Sequence, residues 1–179
     1  MNTTIYTDDA IRQAIEQGPI TEEYRADIPS LLQELNRLRA TELASFLQYK
    51  QHAFMAVSLL APGLKEEFEA HADAEMKHAD RLAERIQQLG GVPVYRPAEI
   101  ASQADEAGVQ PEQGPTLWDM VTENLMLERQ QVAAYTALIR KIEDDDITTR
   151  RLLMSILEET EQHASELADY LKRTADTRQ

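Results

Sequence analysis

The sequence predicts an all-α protein, a four-helix bundle with a long crossover between its second and third helices. Helix-favouring Leu, Ala, Glu, Gln and Arg abound, against six glycines, seven prolines and no strand-like alternation. Apolar residues recur at three- and four-residue spacing in four runs bounded by Pro, Gly or Asp. Between the second and third runs, residues 90–115 hold most of the Pro and Gly and have no sustained period. At about 25 residues that stretch is too long for a tight turn and suits a strap along a bundle.

A chain of 179 residues with 42% hydrophobic content can bury one real core. The expected division is an N-terminal extension over 1–27, a bundle over 28–174 and a tail over 175–179. In the extension, Asp8 and Asp9 cap a short helix through Gln17 that Gly18 and Pro19 end. Its acidic residues outnumber its basic ones, unlike an arm that clamps DNA. The net charge of −14 likewise opposes nucleic acid as a partner and suits cations. Without cysteine there is no disulfide or thiolate metal site, in keeping with a reducing, cytoplasmic compartment. A basic, apolar leader is missing and no apolar run reaches membrane length, so a membrane is not an expected partner.

The first helix starts near Pro29, with Asp27 or Ser30 as cap, and runs to Pro62-Gly63. Its inward line reads Leu31, Leu35, Leu38, Glu42, Ser45/Phe46, Tyr49, His52/Ala53, Ala56 and Leu60. A short connection then makes the second helix, Leu64 to Leu89, its antiparallel neighbour. The second line is Leu64, Phe68, His71, Glu75, His78, Leu82, Ile86 and Leu89, a core stripe interrupted by three ionisable groups. Glu75 and His78, three residues apart, share a face and can grip one metal ion. The crossover makes the third helix parallel to the second. It opens at Thr116-Leu117-Trp118-Asp119, a capping box with Asp in place of Glu, and its line is Val121, Leu125, Glu128, Val132, Tyr135, Ile139 and Ile142. Asp144-Asp145-Asp146 turns the chain and caps the fourth helix, whose line is Leu153, Ile156, Thr160, His163, Leu167 and Tyr170/Leu171.

Side by side, the lines bring Glu42, Glu75, His78, Glu128, Thr160 and His163 inward from four helices. Any one of these is more often a paired core residue than a ligand, but three unpaired buried carboxylates would unfold a marginal domain. A metal pair neutralises them. A known bundle class uses one Glu from each of two helices and Glu-x-x-His from each of the other two. Here one such motif is complete and the other is Thr160-x-x-His163.

The segments Leu35-Asn36 through Glu42 to Tyr49, Glu75-Met-Lys-His-Ala-Asp-Arg-Leu with Glu84-Arg85-Ile86 and Leu89-Gly-Gly-Val-Pro93, and Leu127-Glu128-Arg129 resemble bacterioferritins and their ferritin-like relatives. The resemblance extends from about Leu31 to Leu171, most specific around Glu75 and looser in the fourth helix. It implies a cage that oxidises ferrous iron with O₂ or H₂O₂ at a dinuclear centre inside each bundle and stores ferric mineral. Glu42, Glu75, His78, Glu128 and His163 match the family's iron ligands, with Glu75 as a bridge, and Tyr49 matches a tyrosine near the centre. Met76 matches the methionine that binds haem between paired subunits; a Met at a helix contact is the preferred reading of it. Sixteen residues after His163 leave no room for the short fifth helix of larger cages, so a Dps-like twelve-subunit cage is favoured over twenty-four.

Thr160 departs from the pattern. Three carboxylates and one fewer bridge should hold one metal well and a second weakly, giving a mononuclear site unless Glu159, on the flank of the same face, swings in as a substitute ligand. His71 and His52 can serve as auxiliary ligands or as hydrogen-bonded core histidines, the latter preferred. Two alternatives share the same site. One is a di-metal peroxidase or oxidase without storage, and the other a non-catalytic metal-binding or structural shell.

Overall fold

The structure, a computed structural model, describes residues 18–21, 24–56 and 63–176. The expected helix before Gln17 and residues 57–62 and 177–179 lie outside them. Five helices are described: α1 (Ile28–Met55), α2 (Leu64–Gln88), α3 (Pro97–Glu106), α4 (Leu117–Ile142) and α5 (Ile147–Asp176). None is long and apolar enough to cross a membrane.

Named contacts fix the directions. Glu42 meets His78, Tyr49 meets His71, and His52 meets Phe68, so α1 and α2 run antiparallel. Tyr135 meets Glu42, Tyr49 meets Glu128, and His52 meets Asn124, so α4 is antiparallel to α1 and parallel to α2. His71–Glu166, His78–Glu159 and Arg85–Thr149 set α5 antiparallel to α2. This is the bundle the hydrophobic spacing predicts.

Local chemistry sets the ends. Asp27 caps α1 over Ser30 N, with Pro29 in the first turn. The helix ends at Met55, short of the predicted Pro62-Gly63. At the end of α2, Gly90 takes a positive φ of 78° and Gly91 N donates to Ile86 O at 2.9 Å, closing the last turn. Gly91 also lies against α1: a Cβ there would meet Leu32 Cδ2 at 2.5 Å. Thr116 and Asp119 form the reciprocal capping box of α4.

The crossover, which shows no sustained period in the sequence, holds a helix, α3. It is one turn-rich segment pinned along α1: Val94 N donates to Asn36 Oδ1 at 2.9 Å, and Glu112 N to Gln48 Oε1 at 2.7 Å. Arg39 lies 4.2 Å from the Tyr95 ring centre. Only Ala104 of α3 is buried, so the helix has almost no apolar period to read. Its legible signs are Pro97 at the first position and Gly108 just past the end.

The core is split. Besides a small cluster of Ala40, Ala44, Ala104, Val109 and Leu127 under α3, two larger apolar clusters form it: one gathers Leu35, Leu82, Ile86, Leu138, Leu153 and Ile156, and the other gathers Tyr49, Phe68, Ala72, Met120, Val121 and Leu167. Between them lies the polar layer predicted from the four inward lines, sealed at both ends by hydrocarbon.

Candidate metal centre

Glu42, Glu75, His78 and Glu128 are fully buried, and the His163 side chain is only 12% exposed. His78 Nδ1 is 3.3 Å from Glu42 Oε2 and 3.8 Å from Glu75 Oε1. His163 Nδ1 is 3.5 Å from Glu75 Oε1 and 3.4 Å from Glu128 Oε1. Glu75 thus stands between two histidines from different helices. Helix periodicity does the placing: Glu75 and His78 are one turn apart on α2, and each other residue occupies an inward position of its own helix.

Tyrosines and an amide hold the carboxylates from behind. Tyr135 donates to Glu42 Oε1, Tyr49 donates to Glu128 Oε1 at 2.5 Å, and Gln131 Nε2 donates to Glu75 Oε2 at 3.0 Å. The remaining oxygens, Glu42 Oε2, Glu75 Oε1 and Glu128 Oε2, have no hydrogen-bond partner, nor do His78 Nδ1 and His163 Nδ1. Five buried donor atoms left open toward one place are what a cation site requires and what a proton-satisfied core avoids.

Burial pushes the Glu42 carboxyl up to about 7, against hydrogen bonds that pull it down. Burial, with the Glu42 charge, raises Glu75 to about 8, and burial with the Glu75 charge raises Glu128 to about 7. Burial would lower His163, but the Glu128 and Glu75 carboxylates hold it up to about 10. Desolvation and mutual repulsion are relieved by one change, the arrival of divalent charge.

The other expected residues fall as follows. Thr160 is buried, and its hydroxyl donates to Ile156 O at 3.0 Å within its own helix. Glu159 is about half exposed; one oxygen accepts from Arg81 at 2.8 Å and the other faces His78 Nε2 at 3.2 Å. Met76 is partly buried and lines an apolar recess with Phe46, Leu47 and Ile100. His52 sits away from the centre, its ring nitrogens against Asn124 Oδ1 and Glu112 O. His71 is buried, 3.1 Å through Nε2 from Glu166 and 3.3 Å through Nδ1 from the Tyr49 hydroxyl.

Sequence reasoning missed Gln131, Glu67 and Glu166. Gln131 follows Glu128 by three residues and Glu67 precedes His71 by four, spacings that place each on the same face. Glu67 and Glu166, with Glu158 and Glu159, line a cavity of about 560 Å³ whose floor is His71 and His163. Acidic walls concentrate cations at that opening.

The ferritin-like domain family matches residues 32–176, which include most of α1 and all the later helices. A nutrient stress-induced DNA-binding protein of a Synechococcus strain is 32% identical over 142 residues, 76% of this chain and 78% of the relative. The bacterioferritin of Desulfovibrio desulfuricans is 27% identical over 151 residues, covering 82% of this chain and 79% of its own. The bacterioferritin-related protein of Bacteroides fragilis, described as a dodecameric thioferritin, superposes with a TM-score of 0.80 at 29% identity over 86% of this chain and 91% of that one. By family match and by shared sequence over three quarters of its length, the chain belongs to the ferritin-like family.

Proposed function

We propose that the chain oxidises and sequesters iron at the centre inside its bundle. The reading rests on one observation above the others: Glu42 Oε2, Glu75 Oε1, Glu128 Oε2, His78 Nδ1 and His163 Nδ1 are buried, close to one another and without hydrogen-bond partners. Glu42, Glu75 and His78 make a first cation position, since their ligand atoms all lie within 4.8 Å of one another. Glu128 and His163 make the beginning of a second, with Glu75 shared between them. All-oxygen and imidazole donors of this kind suit ferrous iron.

Two ferrous ions held side by side can each give one electron to the same oxidant, so that peroxide and two protons become two waters without a free radical. The chain's own part is to fix the two positions, keep them dry between the apolar clusters, and guide cations in past the acidic cavity. The protons that Glu42, Glu75, Glu128 and His163 share when no cation is present leave as the cations enter.

For assembly we propose a homo-oligomeric shell like the dodecamer described for the Bacteroides fragilis relative. DNA binding is not carried over from the Synechococcus relative, because a chain of −14 repels phosphate. Anaerobic Fe(II) titration of the metal-stripped protein, followed by air or peroxide, tests the function. The expected result is two ions per chain and ferric absorbance that rises faster than in buffer and stays in the protein fraction. Fast turnover of peroxide with no retained ferric iron would favour an oxidase or peroxidase without storage, and no binding would reject the metal reading. Sedimentation showing a particle far from twelve chains of 20.3 kDa would reject the assembly.

A further inference from the structure

We infer that His71 supplies the ligand that Thr160 does not, completing the second cation position as His71–Glu128–His163 with Glu75 shared. The inference rests on the metal-centre reading above and assigns a residue outside its five donors.

The geometry is specific. His71 lies one turn before Glu75 on α2, and its ring lies on that of His163 with centroids 4.1 Å apart and planes 21° from parallel, so the rings are adjacent and one turns about its χ2 bond for both in-plane lone pairs to meet one ion. Ligand atoms of His71, Glu128 and His163 all fall within 4.8 Å of one another, the same closeness that Glu42, Glu75 and His78 show at the first position. Thr160 cannot compete, because its short side chain is turned back onto Ile156 O. Glu159 is committed elsewhere, with one oxygen on Arg81 and the other on the outer nitrogen of His78.

Proton counting frees the required lone pair. A neutral imidazole carries one N–H, and the Nε2 of His71 faces the Glu166 carboxylate at 3.1 Å, where that proton is accepted. Nδ1 then faces the Tyr49 hydroxyl at 3.3 Å, but the single Tyr49 proton is already given to Glu128 Oε1 at 2.5 Å. Nδ1 of His71 is left with an undonated lone pair facing the Tyr49 oxygen, whose proton goes to Glu128.

The same device orients His78. Its Nε2 faces the Glu159 carboxylate at 3.2 Å while Nδ1 points inward at Glu42 and Glu75. A carboxylate on the outer nitrogen is the usual partner of a metal-binding histidine, fixing its tautomer and strengthening the donor. Glu159 does this for His78 and Glu166 does it for His71. Both carboxylates line the acidic cavity, so they stand where cations arrive.

Exchanging a bridging carboxylate for an imidazole keeps the donor count at the second position alone and removes one negative charge. The second position therefore favours the divalent state over the trivalent one more than an all-carboxylate bridge would, and releases ferric iron more readily.

Anaerobic Co(II) titration of the assembled protein, read by visible absorbance and by ions bound per chain, tests the assignment. Wild type is expected to take two ions, and His71→Leu and His71→Asn one, the asparagine variant retaining a polar group for Glu166. Adding Thr160→Glu to His71→Leu should restore the second ion. In an anomalous map of Co(II)-loaded wild-type crystals, the second ion should lie at bonding distance, about 2.0–2.1 Å by analogy with zinc, from His71 Nδ1. Two ions in every His71 variant, with His71 unbonded in the map, would overturn the inference and leave the centre standing. Loss of the second ion in Glu159→Gln but not in His71→Leu would hand the role to Glu159. A wild type that takes only one ion would remove the second position, and one that takes none would remove the metal-centre reading itself.

Discussion

Glu75 lies fully buried between His78 and His163, and its carboxyl is pushed up to about 8 because burial and the Glu42 carboxylate both disfavour its charge. A group in that position works against the metal-free fold and for the cation. Glu75→Gln keeps the shape and an acceptor for Gln131 but removes the charge. It is expected to raise the metal-free melting temperature at pH 8 by a few degrees, on the order of 1 kcal/mol, while abolishing tight binding of Co(II) or Zn(II). A lower melting temperature with binding intact would mean that Glu75 is a structural residue. The pH dependence follows the same sign. Glu42, Glu75 and Glu128 hold protons in the folded state that the unfolded chain has released above about 4.5, so their stabilisation declines as pH rises through about 7 to 8. His163, raised to about 10 from 6.5, contributes fully below 6.5 and loses that contribution as pH rises toward 10. His71, lowered to about 4 by burial and by His163, acts in the opposite sense only below 6.5. From pH 6.5 to 9, the four raised groups, Glu42, Glu75, Glu128 and His163, predict a falling melting temperature in EDTA, and His71 is neutral in both states. With excess Zn(II) the fall should flatten or reverse, because the metal competes with the same protons. Scanning calorimetry across that range distinguishes the two curves.

At the scale of elements, the bundle end opposite the α1–α2 turn depends on Asp146, the N-cap of α5. It accepts from Thr149 N at 2.8 Å and from Arg85 Nη2 at 3.0 Å on both oxygens, and Tyr24 donates to it at 2.7 Å. Burial opposes its charge, but the hydrogen bonds from Thr149, Tyr24 and Arg85 prevail and hold it below the ordinary Asp value. Asp146→Ala removes the cap and strands the buried Arg85 guanidinium, an expected loss of about 3–5 kcal/mol and a melting temperature lower by roughly ten degrees or more. Adding Arg85→Met should recover a substantial part, and strictly additive effects in that cycle would show that the pair is not coupled. The capping role of Asp146 was legible from three aspartates before an apolar period. Its partner was not, since Arg85 reads as one more charge near the end of a helix. The four long helices were legible because each repeats its inward spacing over many turns, and the parallel pairing of α2 and α4 followed from the length of the crossover. The helix α3 was not, because ten residues that bury one alanine carry too little periodicity.

Taken whole, the molecule places its polar layer between two apolar clusters, with donors from α1, α2, α4 and α5. The depth of Glu42, Glu75, His78, Glu128 and His163 could be read from the inward lines. The bonds that orient them could not: Tyr135 and Glu42 are 93 residues apart, and only the closed bundle shows that they meet. On the proposed reading, one ion in this layer would tie α1 to α2 and a second would tie α4 and α5 to them, as cross-links that exist only in the folded state. A ligand that binds only the folded state stabilises it by about 2.7 kcal/mol at one hundred times its dissociation constant. For a chain of this size that corresponds to a rise of roughly 5–10 °C. Saturating Zn(II) or Co(II) is therefore expected to raise the melting temperature by that amount and EDTA to reverse it. Glu75→Gln should abolish most of the rise, since it removes the carboxylate shared by both positions. His71→Leu should keep the part due to the first ion. Adding sodium chloride alone gives the control, because salt screens the repulsion within a chain of −14 without entering the centre. If sodium chloride at equal ionic strength gave the whole rise, the acidic layer would be responding to screening, and the four helices would not be joined through a common cation.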